Sequence, residues 1–186
     1  MQIKRNILLN PGPATTTDSV KMAMAVPDIC PREKEFENIM KEIRTDLTKI
    51  VNGGTEYTTT LFCGSGTSVM DAAINSVVAP DTKVAVIVNG AYGDRLVKIA
   101  KSYKIECVEI RFEYGEKIDI EKVEKAITSD PKISTVAMIH HETTTGILNP
   151  IKEIGLVVKK LKKVFVVDTI STFAGIPIDT KGNLKE

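Results

Sequence analysis

A chain of 186 residues, 42% hydrophobic and 26% charged, has the composition of one ordinary globular domain with a core of its own and no need of staples. Its 25 basic and 24 acidic residues leave a formal charge of +1, which supplies no field to gather nucleic acid or an anionic membrane. Cys30, Cys63 and Cys107 form no CxxC spacing and argue for reduced thiols in a cytoplasmic protein, with little basis for a metal site. The opening MQIKRNILLNPGP lacks the apolar core of a signal peptide, and no stretch is long enough to span a bilayer.

In chain order, Glu33 to Asn52 reads as an amphipathic helix. Phe36, Ile39, Met40, Ile43, Leu47, Ile50 and Val51 lie on one stripe, and Gly53 stands where a helix C-terminus favours glycine. EYTTTLF is then the first candidate strand, and Gly64-Ser65-Gly66-Thr67 turns it into a second helical run. KVAVIV, IECVEI, STVAMI and KVFVVD follow as further strands, nearly continuous in apolar residues as expected of parallel strands covered on both faces. Between them, Asp119 caps IEKVEKAITSD and Pro150 opens IKEIGLVVKKLKKV as a first-turn proline. Strands alternating with helices predict a doubly wound α/β fold in one domain.

Such sheets bind ligands outside the carboxyl ends of their strands, so the corners carry the chemistry. At Gly64-Ser65-Gly66-Thr67 a close-lying backbone and a helix N-terminus suit a phosphate, although Ser65 or Thr67 as a plain N-cap explains the residues equally well. The pattern is neither a Walker motif nor GxGxxG. At NGAYGDR, Tyr92 flanked by small residues can lie flat on a planar ring or simply pack. In HHETTTG, His140 and His141 point to opposite faces of an extended segment and are poorly placed to share a metal. Asp168 closes an apolar run, where a carboxylate is either a cap or the partner of a protonated ring nitrogen. A phosphate seat, a flat aromatic, hydroxyls and one buried acid together fit pyridoxal 5'-phosphate.

LLNPGPATTT, VPDICPREKEF, GSGTSVMDAAI, NGAYGDR, HHETTTGILNP and VVDTISTFAGIPID stand in the order of the class V, fold-type I aminotransferases, which the chain resembles over essentially its whole length. It is most similar to the 2-aminoethylphosphonate–pyruvate transaminases among them. The resemblance implies a three-layer αβα sandwich with a mostly parallel sheet, part of the large domain of a PLP-dependent transferase. It implies further that Ser65, Gly66 and Thr67 seat the cofactor phosphate, that Tyr92 stacks on the pyridine, that Thr143 reaches the ring hydroxyl and that Asp168 pairs with the ring nitrogen as the catalytic acid group. Substrates would be 2-aminoethylphosphonate and pyruvate, in a homodimer. The family's Schiff-base lysine and its small C-terminal domain follow a further strand, whereas this sequence stops at DTKGNLKE, where Lys181 and Lys185 read as loop residues. The expectation is therefore an N-terminal portion, residues 1–186, inactive alone. The alternatives are a catalytically silent module that binds the cofactor or a partner, and a serine- or alanine–glyoxylate-type aminotransferase.

Overall fold

The computed structural model describes residues 6–10 and 12–181, and it divides into two compact units, Met1–Leu61 and Phe62–Glu186. In the first unit, α1 (Asp18–Met22) starts where the Thr17 side chain accepts the Val20 N–H at 3.4 Å, and α2 (Lys34–Ile50) occupies the predicted amphipathic stretch. Its stripe is only partly covered: Leu47 is half-buried and Thr48 buried, while Ile43 and Ile50 are 41% and 46% exposed. The left-handed residue after α2 is Asn52 (φ 53°), not Gly53. Gly53 is glycine for space, since a Cβ there would stand 2.8 Å from Thr48 Cγ2 and 2.9 Å from Tyr57 Cβ.

EYTTTLF forms no strand. Three threonines in a row have strand propensity, but a strand also needs a ladder partner, and here side chains of α2 take the place of one. The Arg44 guanidinium donates to the Thr59 carbonyl at 2.6 Å and to Thr58 Oγ1 at 2.7 Å, and the Thr48 and Thr59 hydroxyls share a 2.8 Å hydrogen bond.

The second unit runs α3 (Gly66–Val77), β1 (Lys83–Val88), α4 (Ala91–Ser102), β2 (Glu106–Arg111), α5 (Ile120–Ser129), β3 (Ile133–Ile139), the short β4 (His141–Glu142) and β5 (Ile147–Leu148), α6 (Ile151–Lys160) and β6 (Val164–Asp168). Asp119 caps α5 as expected, accepting the Lys122 N–H at 3.1 Å; Pro150 sits one position earlier than expected, at the N-cap of α6. The four long strands pair in parallel in the order β2-β1-β3-β6, and β4 pairs with β5 in a separate antiparallel ribbon.

Alternation along β1 sorts the core into layers. Ala85 and Ile87 face Val123 and Ile127 of α5 and Ile154 and Val158 of α6, whereas Val84, Val86 and Val88 face Met70 and Ile74 of α3 and Leu96 and Ala100 of α4. Helices therefore cover both faces of the sheet, the αβα arrangement. The chain leaves β1 for β2 on one side and returns to β3 on the other, so the topological switch, where such sheets open a crevice, lies between the carboxyl ends of β1 and β3. A reciprocal amide pair pins that place. Asn89 Nδ2 donates to Asn149 Oδ1 at 2.7 Å, Asn149 Nδ2 donates back to Asn89 Oδ1 at 3.1 Å, and Asn149 Nδ2 also reaches the Ile139 carbonyl at 2.9 Å.

Candidate functional site

The corner Gly64-Ser65-Gly66-Thr67 opens α3, although it follows irregular chain and not a strand. Ser65 is the N-cap: its hydroxyl accepts the Ser68 N–H at a long 3.4 Å, and Ser68 Oγ donates to the Ser65 carbonyl at 2.6 Å. Among the described residues no acceptor meets the N–H of Gly66 or of Thr67, and the Ser65 and Thr67 side chains are exposed. Two free amides at the positive end of a helix dipole, flanked by two hydroxyls, form a donor set that suits a phosphate. A Cβ at Gly66 would collide with the Ile170 side chain, so this glycine also lets the corner close on the turn after β6.

Tyr92 rides on the first turn of α4, half-buried. The Arg95 guanidinium lies 4.7 Å from its ring centroid and reaches Thr67 Oγ1 at 3.3 Å, which ties the aromatic to the α3 corner. The turn itself is held by Glu142, a fully buried carboxylate. Its oxygens accept the Tyr92 N–H at 3.1 and 3.2 Å, the Gly93 N–H at 3.1 Å and the Thr144 hydroxyl at 2.7 Å, while Thr144 Oγ1 in turn accepts the Ala91 N–H at 3.2 Å.

Asp168 ends β6 opposite Ile139, and its carbonyl accepts the His140 N–H at 2.9 Å. Oδ1 accepts the Ile170 N–H at 2.9 Å. Burial pushes this carboxyl above its ordinary range and the Glu142 charge adds to the effect, while the Ile170 hydrogen bond and the Arg95 charge oppose it. An acid so placed gains from a cationic N–H donor. His140 is buried, and its pKa is lowered first by that burial and then by His141. Its Nδ1 meets Thr172 Oγ1 at 2.9 Å, and because Thr172 donates to the Thr169 carbonyl at 3.2 Å, Nδ1–H is the donor of that pair. His141 Nδ1 meets Ser171 Oγ at 3.2 Å. Both histidines thus brace the turn after β6, and among the described residues no group of three or more His, Cys, Asp or Glu could hold a metal.

The structure brings Ser65, Gly66, Thr67, Tyr92 and Asp168 into one chain of contacts: Thr67 to Arg95 to Tyr92 to Glu142 on one side, Gly66 to Ile170 to Asp168 on the other. Thr143 is half-buried beside Glu142, and its hydroxyl has no partner among the described residues. Lys181 is exposed in a turn, its N–H bonded to Asp179 Oδ1 at 2.9 Å, and Lys185 lies outside the described residues. Sequence reasoning missed Arg95 and Glu142. Arg95 stands three residues after Tyr92, the spacing at which two helical side chains meet, but nothing in the sequence shows that Glu142 faces a helix start some fifty positions away.

The profile of the aminotransferase class-V family matches residues 21–183. The 2-aminoethylphosphonate–pyruvate transaminase of Syntrophobacter fumaroxidans is 42% identical over 173 residues, 93% of this chain and 46% of its own length. That of Phocaeicola vulgatus is 41% identical over 177 residues, 94% of this chain and 49% of its own. Among solved structures, the alanine–glyoxylate aminotransferase of Nostoc sp. superposes with a TM-score of 0.86 at 29% identity, covering 96% of this chain and 47% of that one. The chain spans about half the length of the curated relatives it matches. With the match running from α1 past β6, through every corner that lines the switch point, this chain belongs to the aminotransferase class-V family.

Proposed function

We propose that this chain is part of the large domain of a pyridoxal-phosphate-dependent transaminase that moves the amino group of 2-aminoethylphosphonate to pyruvate, giving phosphonoacetaldehyde and alanine. The observation that carries the cofactor site is the pair of acceptor-free amides at Gly66 and Thr67, tied through Arg95 to Tyr92 and through Ile170 to Asp168. When bound, pyridoxal phosphate supplies an electron sink for the charge that develops as a proton leaves the substrate carbon. The residues of this chain prepare that sink. The Gly66 and Thr67 N–H groups with the Ser65 and Thr67 hydroxyls would hold the phosphate, Tyr92 would stack on the pyridine ring, and the free Thr143 hydroxyl would meet the ring hydroxyl. Asp168 would hold a proton on the ring nitrogen, which would strengthen the sink. The choice of donor rests on the named relatives.

The intact protein in this reading is a cytoplasmic homodimer. Free Cys30, Cys63 and Cys107 support the compartment, and exposed Ile7, Leu8, Leu9, Met24 and Val26 in the first unit support a contact between copies. Among the described residues no helix is long and apolar enough to cross a membrane.

The test is alanine formation from pyruvate by the full protein that carries this chain, with 2-aminoethylphosphonate or serine as donor. The phosphonate is expected to be used at least about tenfold better, the low end of the discrimination that enzymes reach between related substrates. Equal use of serine would move the chain to the serine- or alanine–glyoxylate branch.

A further inference from the structure

Glu142 is the least expected charge in the fold. It is fully buried, it makes no ion pair among the described residues, and its side chain occupies the place where a Cβ of Gly90 would fall, overlapping Cγ and Cδ. Taking a carboxylate out of water is costly unless donors replace the water, and here the replacements are the Tyr92 and Gly93 N–H groups and the Thr144 hydroxyl. The two amides lie in the first turn of α4, at the positive end of its dipole. The same helix start is boxed in from below. A Cβ at Gly93 would lie 3.0 Å from the Val88 Cα, tighter than ordinary contact, so a larger residue there would push the turn away from β1.

From this geometry we propose that Glu142 is a positioning residue: it clamps the first turn of α4 to the β4 segment and thereby fixes the orientation of the Tyr92 ring, a role that rests on Tyr92 facing the cofactor as read above. A neutral or uncharged cap at that helix start could satisfy its amides from solvent, so the helix alone does not explain a carboxylate carried by a strand fifty residues away. The clamp does explain it. One side chain joins the element that bears Tyr92 to the segment that bears Thr143 and Thr144, and the Ala91 N–H bonded to Thr144 Oγ1 closes a second link across the same gap. Gly90 serves the clamp by leaving room for the carboxylate.

Two variants separate this role from simple structural support. Glu142→Gln keeps the size but offers one acceptor and sets an NH2 against a backbone N–H; Gly90→Ala keeps the carboxylate but pushes it out of place. In each, hydrogen exchange at the Tyr92 and Gly93 amides should quicken by about tenfold, the effect of losing a charge-assisted hydrogen bond, while exchange in β1 and β3 stays as in the parent. Pyridoxal phosphate, added to the parent, should shift the ring resonances of Tyr92, and in both variants that shift should shrink and affinity fall by about three- to tenfold. Unchanged exchange at Tyr92 and Gly93 in both variants would overturn the clamp. Faster exchange with a parental Tyr92 response would reduce Glu142 to a helix cap and overturn the positioning role. A parent whose Tyr92 ignores the cofactor would instead contradict the cofactor reading itself, and the positioning role toward it with that reading.

Discussion

Asp168 shows how a residue can be chosen against the stability of the fold that carries it. Its carboxyl is held above the ordinary value of 3.8, chiefly by burial. The folded chain therefore keeps the proton to higher pH than the unfolded chain does, and stability is lost as the pH rises from 3.8 through the folded pKa. Asp168→Asn removes that loss, so the cofactor-free variant should melt at a higher temperature than the parent at neutral pH, with the difference fading toward the acid limit. The same change should weaken binding of pyridoxal phosphate, because a neutral amide no longer favours a protonated ring nitrogen. Melting curves at several pH values check the first half; a variant no more stable than the parent near neutrality would mean that the burial of Asp168 is already compensated.

Among the elements, the sequence speaks clearly where a residue answers to its own neighbours. The apolar runs of β1, β3 and β6, the Asp119 cap and the Ser65 N-cap all emerge as read, since each depends on local pattern alone. EYTTTLF misleads because strand propensity does not supply a ladder partner, and Arg44 and Thr48 capture its polar groups first. Gly53 misleads because a glycine can be required for closeness as well as for a positive φ, and the left-handed turn falls to Asn52. Glu142 and the Asn89–Asn149 pair were not legible at all: both join parts of the chain that only the order β2-β1-β3-β6 brings together. The amide pair fixes the switch point and carries a measurable weight. Asn149→Ala takes the donor from Asn89 Oδ1 and from the Ile139 carbonyl in a buried place, leaving Asn89 Nδ2 only the Glu116 carbonyl at 3.1 Å, and should cost about 2–4 kcal/mol, read as a fall in denaturant midpoint with unchanged slope. A loss within about 0.5 kcal/mol would show that the pin is dispensable.

For the whole molecule, the two units differ in how well they cover themselves. Phe62–Glu186 buries an apolar layer on each face of its sheet, whereas Met1–Leu61 leaves Leu9 95%, Met24 77% and Val26 60% exposed. In the reading proposed above, a second copy of the protein covers these apolar side chains. Sedimentation at micromolar concentration should report a dimer for the full protein, and Leu9→Asp with Met24→Asp should shift it toward monomer; a parent that remains monomeric would place the function of those residues elsewhere.

The central claim is that the start of α3 is a phosphate seat for a pyridine cofactor whose ring nitrogen meets Asp168. It is tested most directly by comparing the affinities of pyridoxal 5'-phosphate and pyridoxal for the protein under identical conditions. In that reading the phosphate would accept charge-assisted hydrogen bonds from the Gly66 and Thr67 amides, each worth about 1.5–3 kcal/mol, so the account predicts that the phosphorylated form binds at least about a hundredfold more tightly. Equal affinities, or no saturable binding of either, would contradict it.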